Sequence, residues 1–186
     1  MSPENAVEVS NLTKYYGDLL AVDHVNFEVR KGEIFGFLGP NGAGKTTTIR
    51  MLTGQTRPTL GMAAVAGFDI THQLNKAKER VGVVPEVSNL YDEMSAWDNL
   101  IFAAQLYGVP KNERDKRAKE LLELFGLHER RRDHVGDFSK GMKRRLTIAA
   151  ALIHKPDILF LDEPTSGLDV QSSRMIRNLI KQLNES

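Results

Sequence analysis

The stretch GPNGAGKT, Gly39 to Thr46, meets the pattern G-x-x-x-x-G-K-[ST] at every fixed position. Glycines at 42 and 44 let consecutive backbone N–H groups turn inward, and a helix start behind them adds positive potential, so such a loop cradles phosphate. Lys45 is the residue that reaches the β- and γ-phosphates, and Thr46 offers a hydroxyl to Mg²⁺. Gly39, Pro40, Asn41, Gly42, Ala43, Gly44, Lys45 and Thr46, with Thr47 beside them, are the candidate phosphate-binding residues. The blander alternative is a glycine turn before an ordinary helix. The absence of G-x-G-x-x-G argues against a dinucleotide loop.

A second group lies in DILFLDEPTSGLD, residues 157 to 169, where four apolar residues run into Asp162 and Glu163. Ligands of parallel α/β sheets bind outside the carboxyl ends of the strands, so a strand over 158 to 161 delivers two acids to such a site. Asp162 suits Mg²⁺. Glu163, on the other side of the chain, suits the polarisation of a water for attack on a γ-phosphate. Taken alone, both acids would more simply cap the following turn.

The elements around these groups alternate between strand and helix signals, which is the pattern of an α/β fold with a mostly parallel sheet. VEVSNL (7–12) and VNFEVR (25–30) alternate at period two and predict antiparallel strands, an N-terminal β portion. EIFGFLG (33–39) predicts a central strand, KTTTIRMLTG (45–54) a helix ending at Gly54, and VGVVP (81–85) a buried strand. From 95 to 135 the signals are helical, with Ser95 as a cap and KNERDKRAKELLELFGL as an amphipathic helix. The expected organisation is one domain over 1–186, its α/β core made of 1–87 and 156–186, with a helical subdomain over 88–155 inserted.

Composition narrows the classes. With 41% hydrophobic and 26% charged residues over 186 positions, the chain can bury a core. A formal net charge of +1 offers no large field for nucleic acid, which is not expected as a partner. The longest apolar run, Ile148 to Ile153, is far short of the roughly 20 residues a membrane helix needs. The start MSPENAVEVS lacks the regions of a signal peptide. There is no cysteine to form a disulfide or thiolate site.

With these motifs the chain resembles the ATP-binding cassette family, the nucleotide-binding subunits of ABC transporters. GPNGAGKT matches its Walker A motif, ILFLDE its Walker B motif, and Ser166, Gly167, Leu168 and Asp169 its D-loop. FSKGM, with Ser139, Lys140, Gly141 and Met142, stands where the family has its LSGGQ signature. The wording GFLGPNGAGKTTTIRMLTG followed by VGVVPE is similar to the drug and antibiotic exporter group. The resemblance implies a RecA-like P-loop NTPase fold, ATP and Mg²⁺ as cofactors, and Glu163 as catalytic base. It also implies a head-to-tail dimer in which Ser139 and Gly141 of one chain face the γ-phosphate held by the other. A transmembrane permease would be the further partner, placing the protein in the cytoplasm on the inner face of the membrane.

Further positions follow from the resemblance. Tyr16 stands where the family stacks an aromatic on adenine, with Tyr15 as a rival. Glu86 stands where the family has a glutamine near the metal, making Thr46, Glu86 and Asp162 the metal set and bringing three carboxylates, 86, 162 and 163, towards one site. The segment after it, with Tyr91 and Trp97, is where the family's permease docks. The basic residues Lys140, Lys143, Arg144 and Arg145 are a candidate phosphate attractor, and Arg130 to Arg132 a solvated face.

Three departures stand out. Lys140 replaces a signature glycine and Met142 its glutamine. The family's switch histidine, on the strand after the D-loop helix, has no counterpart: the sequence stops in that helix at KQLNES, and His24, His72, His128, His134 and His154 lie elsewhere. The expectation is a C-terminally truncated cassette whose strands 33–38 and 158–161 lack a neighbour. Its function would be ATP hydrolysis coupled to a membrane partner, or else nucleotide binding without turnover. A DNA-repair or translation ATPase is disfavoured, since no coiled coil lies between Lys45 and Ser139 and there is only one Walker A motif.

Overall fold

A computed structural model describes residues 4–185. The chain divides into two compact units, one reaching to Val81 together with the last residues from Asn184, the other Gly82–Leu183. The boundary falls ahead of the expected 88–155 insertion, and the strand bearing Asp162 groups with the helices.

In the first unit, β1 (Asn5–Tyr16) and β2 (Leu19–Arg30) form an antiparallel hairpin, with Val9 opposite Phe27 and Tyr16 opposite Leu19. β3 (Leu60–Val65) pairs antiparallel along the other edge of β1, and β4 (Phe68–Asp69) follows it, giving the order β2-β1-β3-β4. Alternation puts Val7, Val9 and Val65 inside. Helix α1 (Lys45–Leu52) buries Ile49, Met51 and Leu52, each contributing about 1.5–3 kcal/mol. It ends at Thr53, and Gly54 takes φ +70° with Leu74 of α2 (Leu74–Lys78) packed where a Cβ would stand. A side chain at position 54 would displace that leucine.

The expected central strand over 33–39 does not form. Residues 33–40 join no ladder among the described residues, and Ile34, Phe35 and Leu38 are exposed. A strand exists only by pairing, and nothing described here pairs with this one. Instead Phe35 stacks on Phe27 at 5.3 Å between ring centroids, and Phe37 meets Phe27 edge-on at 5.0 Å.

In the second unit, β5 (Val81–Val84) and β6 (Ile158–Leu161) make a parallel two-stranded sheet. Helices α3 (Ala96–Leu106), α4 (Lys111–Leu124), α5 (Lys140–Leu152) and α6 (Val170–Glu185) share a core of Leu100, Leu122, Leu146, Ile148 and Ile176. Ser95 starts α3 as expected: its Oγ accepts from the Asp98 N–H at 3.0 Å, and its hydroxyl donates back to Asp98 Oδ2 at 2.6 Å.

Candidate functional site

The phosphate loop lies in the first unit and is shaped by contacts that only glycine allows. Gly42 and Gly44 both take φ +83°. A Cβ on Gly44 would sit 2.6 Å from the Ala21 carbonyl oxygen and 3.0 Å from Val22 Cγ2, so β2 closes directly on the loop. Gly44 is also the residue before α1, and it brings no side chain to cap the first-turn amides. The Ala43 N–H donates to the Pro40 carbonyl at 3.2 Å, and the Lys45 ammonium donates to the carbonyls of Gly39 at 2.8 Å and Pro40 at 2.9 Å. Asn41 is exposed at the tip, while Thr46 and Thr47 are half-buried in the first turn of α1.

Tyr16 belongs to the same unit. It pairs with Leu19, two residues ahead of the Ala21 carbonyl that meets Gly44, and its half-exposed ring has the Lys14 ammonium 5.0 Å from its centroid. Tyr15, its neighbour on the opposite face, donates its N–H to Thr59 Oγ1 at 3.1 Å. A cavity of about 750 Å³ lined by Gly54, Arg57, His72 and Lys76 lies past the other end of α1 and includes none of the candidate residues.

The remaining candidates lie in the second unit. The Asp162 N–H donates to the Val84 carbonyl at 2.9 Å, which holds Asp162, buried, at the end of the β5–β6 ladder. Glu163 is exposed and takes φ +46°, a left-handed conformation costing about 1–3 kcal/mol for a residue with a side chain. The two adjacent acids therefore meet different surroundings. Among the described residues no three carboxylates or histidines gather into a metal-holding group. Glu86 is exposed on the turn after β5.

Ser139 caps α5, its Oγ accepting from the Met142 N–H at 3.3 Å, with Lys140 exposed on the first helical position. Gly141 faces α6 so closely that a Cβ would lie 2.8 Å from Ser172 Oγ. Met142 is half-buried, and its sulfur accepts from Arg130 at 3.6 Å. Residues 166–169 turn through Gly167 at φ +68°, with the Ser166 N–H on the Glu163 carbonyl at 3.0 Å and the Leu168 N–H on the Thr165 carbonyl at 3.3 Å. Asp169 then accepts from the Ser172 hydroxyl at 2.6 Å and the Ser172 N–H at 2.8 Å.

These bonds, the side-chain one foremost, lower the Asp169 pKa below its ordinary value. A depressed folded value means that the stabilisation is present above the unfolded aspartate pKa of about 3.9 and is lost as pH falls through the folded one. Thermal melts across the acid range should show this slope, and Asp169→Asn should flatten it.

The basic cluster is largely occupied within the chain. Lys143 pairs with Asp92 at 2.8 Å, Arg145 donates to the Phe125 carbonyl at 2.8 Å, and the buried Arg144 donates to the carbonyls of Pro85 and Glu86, both at 2.6 Å. A guanidinium committed to carbonyls does not advertise phosphate, so the phosphate-attractor reading of these three residues is corrected. Burial lowers the Arg144 pKa, and the carboxylates of Glu86 and then Asp162 oppose that shift. Of the expected docking residues, Tyr91 is half-exposed and packs edge-on to Phe102, whereas Trp97 packs against the core.

Comparison with known proteins identifies a family. Residues 22–166 match the ABC transporter family. The chain is 46% identical to the linearmycin resistance ATP-binding protein of Bacillus subtilis over 97% of its length and 58% of the relative's. It is 44% identical to the bacitracin transport ATP-binding protein of Bacillus licheniformis over 95% and 57%. It thus spans a little under three fifths of these relatives. Among solved structures, the Clostridium perfringens cbiO1 protein, part of the ABC transporter complex cbiONQ, matches with TM-score 0.87 and 28% identity over 98% of this chain and 74% of that one. An ATP-binding cassette solved as a dimer with ADP and Pi matches with TM-score 0.84 and 30% identity over 96% and 83%. The chain belongs to the ABC transporter family.

Proposed function

We propose that this chain binds and hydrolyses ATP and that paired copies drive a membrane partner, most simply an exporter. The observation that carries the reading is the phosphate loop. Gly44 is held against β2 where no side chain fits, α1 opens without a side-chain cap, and Lys45 stands at the loop's mouth. Uncapped helix-start amides and an ammonium are what a triphosphate requires.

In this reading the amides of residues 42–46 and Lys45 hold the phosphates, and Tyr16 stacks on the base. Thr46 and Asp162 would hold Mg²⁺, whose charge offsets that of the phosphates. A hydroxyl and a carboxylate are the hard oxygen donors this ion takes. Glu163, exposed beside the buried Asp162, polarises the attacking water. Ser139 and Gly141 serve the partner chain's nucleotide, and residues 166–169 link the two sites. Among the described residues no helix is long and apolar enough to cross a membrane; in this reading a permease is the membrane partner, with the protein at its cytoplasmic face. The names of the resistance and transport relatives support export.

The test is ATP turnover, with dimerisation followed by light scattering, on the protein carried at the length of its relatives. Mg²⁺-dependent release of phosphate and ATP-dependent pairing are expected. Nucleotide binding without phosphate release would favour the second reading, a regulatory cassette.

A further inference from the structure

We propose that the cavity past the carboxyl end of α1 is a binding site for a small organic phosphate, separate from the glycine loop. It is lined by residues of the first unit alone and does not depend on the nucleotide reading above.

Two short stretches of chain wall the cavity: 54–58, which follows α1, and 70–76, which runs into α2. Each is fixed by bonds to its backbone, so the space is shaped before anything enters it. In the first wall the N–H groups of Gln55 and Thr56 donate to the Arg50 carbonyl at 2.8 and 3.2 Å, and the Lys14 ammonium donates to the Arg57 carbonyl at 2.7 Å. In the second, Asp69 Oδ1 accepts from the N–H groups of Thr71 at 2.6 Å and His72 at 3.0 Å, and the Gln73 N–H donates to the Asp69 carbonyl at 2.8 Å. The space between them, about 750 Å³, is that of a small-molecule site.

The lining is one-sided in charge. Arg57 and Lys76 bring two positive charges and His72 an imidazole, and no aspartate or glutamate lines the cavity among the described residues. Asp69 stands behind the second wall, with its Oδ1 spent on the backbone. Neither cation is paired with a carboxylate among the described residues: Arg57 is bonded through its carbonyl, and the Lys76 ammonium lies 6.0 Å from the centroid of the Phe68 ring. The carbonyls of Arg50 and Met51 at the end of α1, which would repel an anion, already accept from Gln55, Thr56 and Gly54. Beside the cations, Met51 and Ile70 are buried and Leu74 is half-buried, which gives the cavity an apolar floor.

These features select the ligand. Two cations without an acid suit a dianion better than a monoanion, which favours a phosphate monoester, with a charge of about −1.5 to −2 at neutral pH, over a carboxylate. The guanidinium fork can take two phosphate oxygens and the ammonium a third. The floor suits an apolar body carried by that phosphate, which inorganic phosphate lacks.

The test is calorimetric titration of the protein with phenyl phosphate, with inorganic phosphate and benzoate as comparisons. Saturable binding of phenyl phosphate with a dissociation constant of about 1 mM or tighter is expected, and each comparison anion should bind more weakly on the order of tenfold. Arg57→Gln and Lys76→Gln, both at exposed positions, should each weaken phenyl phosphate on the order of tenfold, whereas Lys45→Ala should hold it within about twofold of the parent. Binding lost in Lys45→Ala and unchanged in the two cavity variants would place the phosphate on the glycine loop and overturn the proposal. Absence of saturable binding would overturn it as well, and so would inorganic phosphate binding as tightly as phenyl phosphate, the mark of an adventitious ion only. Loss of the nucleotide reading would show instead as a flat ATP titration with phenyl phosphate binding intact, so the two fail separately.

Discussion

Glu163→Gln is expected to leave ATP binding in place while slowing phosphate release by roughly a hundred- to ten-thousandfold, the usual contribution of a positioned general base. The expectation follows from the contrast between the two acids. Asp162 is buried at the end of β6 with its N–H on Val84, whereas Glu163 is exposed and held in a left-handed conformation. The amide keeps the size of the side chain and removes its ability to take a proton. ATP binding should persist, and because turnover no longer dissolves the ATP-bound pair, the variant should accumulate as a dimer. Light scattering with ATP and a phosphate-release assay check both halves. Normal turnover in the variant would remove Glu163 from the role of base.

Lys45→Ala is expected to weaken ATP binding by roughly ten- to a hundredfold, the range for losing a hydrogen bond to a charged group of about 1.5–3 kcal/mol. The ammonium lies on the carbonyls of Gly39 and Pro40, so the alanine also removes the bonds that close the loop. Arg50, on the same helix, serves as the control for non-specific charge. It is exposed in the last turn of α1, away from the loop, and Arg50→Ala should bind ATP as the parent does. Calorimetry with both variants separates a phosphate cradle from a general loss of positive charge.

What the sequence revealed depended on how local the cause was. The Ser95 and Ser139 caps, the helix after Lys45 and the strand before Asp162 are written within a few residues each, and all four are present. Strand 33–39 has the apolar content of a central strand but no described neighbour, and composition cannot supply a partner. β3 was missed because LGMAAV does not alternate, and its second residue is Gly61 at φ +83°, pressed against the Asn11 backbone. The role of Arg144 could not be read from KRR. Three adjacent cations look alike in sequence, and only the fold sends one to Asp92, one to Pro85 and Glu86, and one to Phe125. The phosphate loop was legible because its cause, glycines before a lysine at a helix start, is itself a local pattern. The exposure of Glu163 and burial of Asp162 were half legible, since adjacent residues must diverge but which one is buried depends on Val84.

The central claim, that this chain is built to hold a nucleoside triphosphate on its glycine loop, is tested most directly by titrating the protein with ATP and Mg²⁺ in a calorimeter. The account predicts saturable binding of one nucleotide per chain, lost or strongly weakened when Lys45 is replaced by alanine and retained when Arg50 is. A flat titration with the folded parent protein, or equal affinity for ATP in the parent and the Lys45→Ala variant, would contradict it.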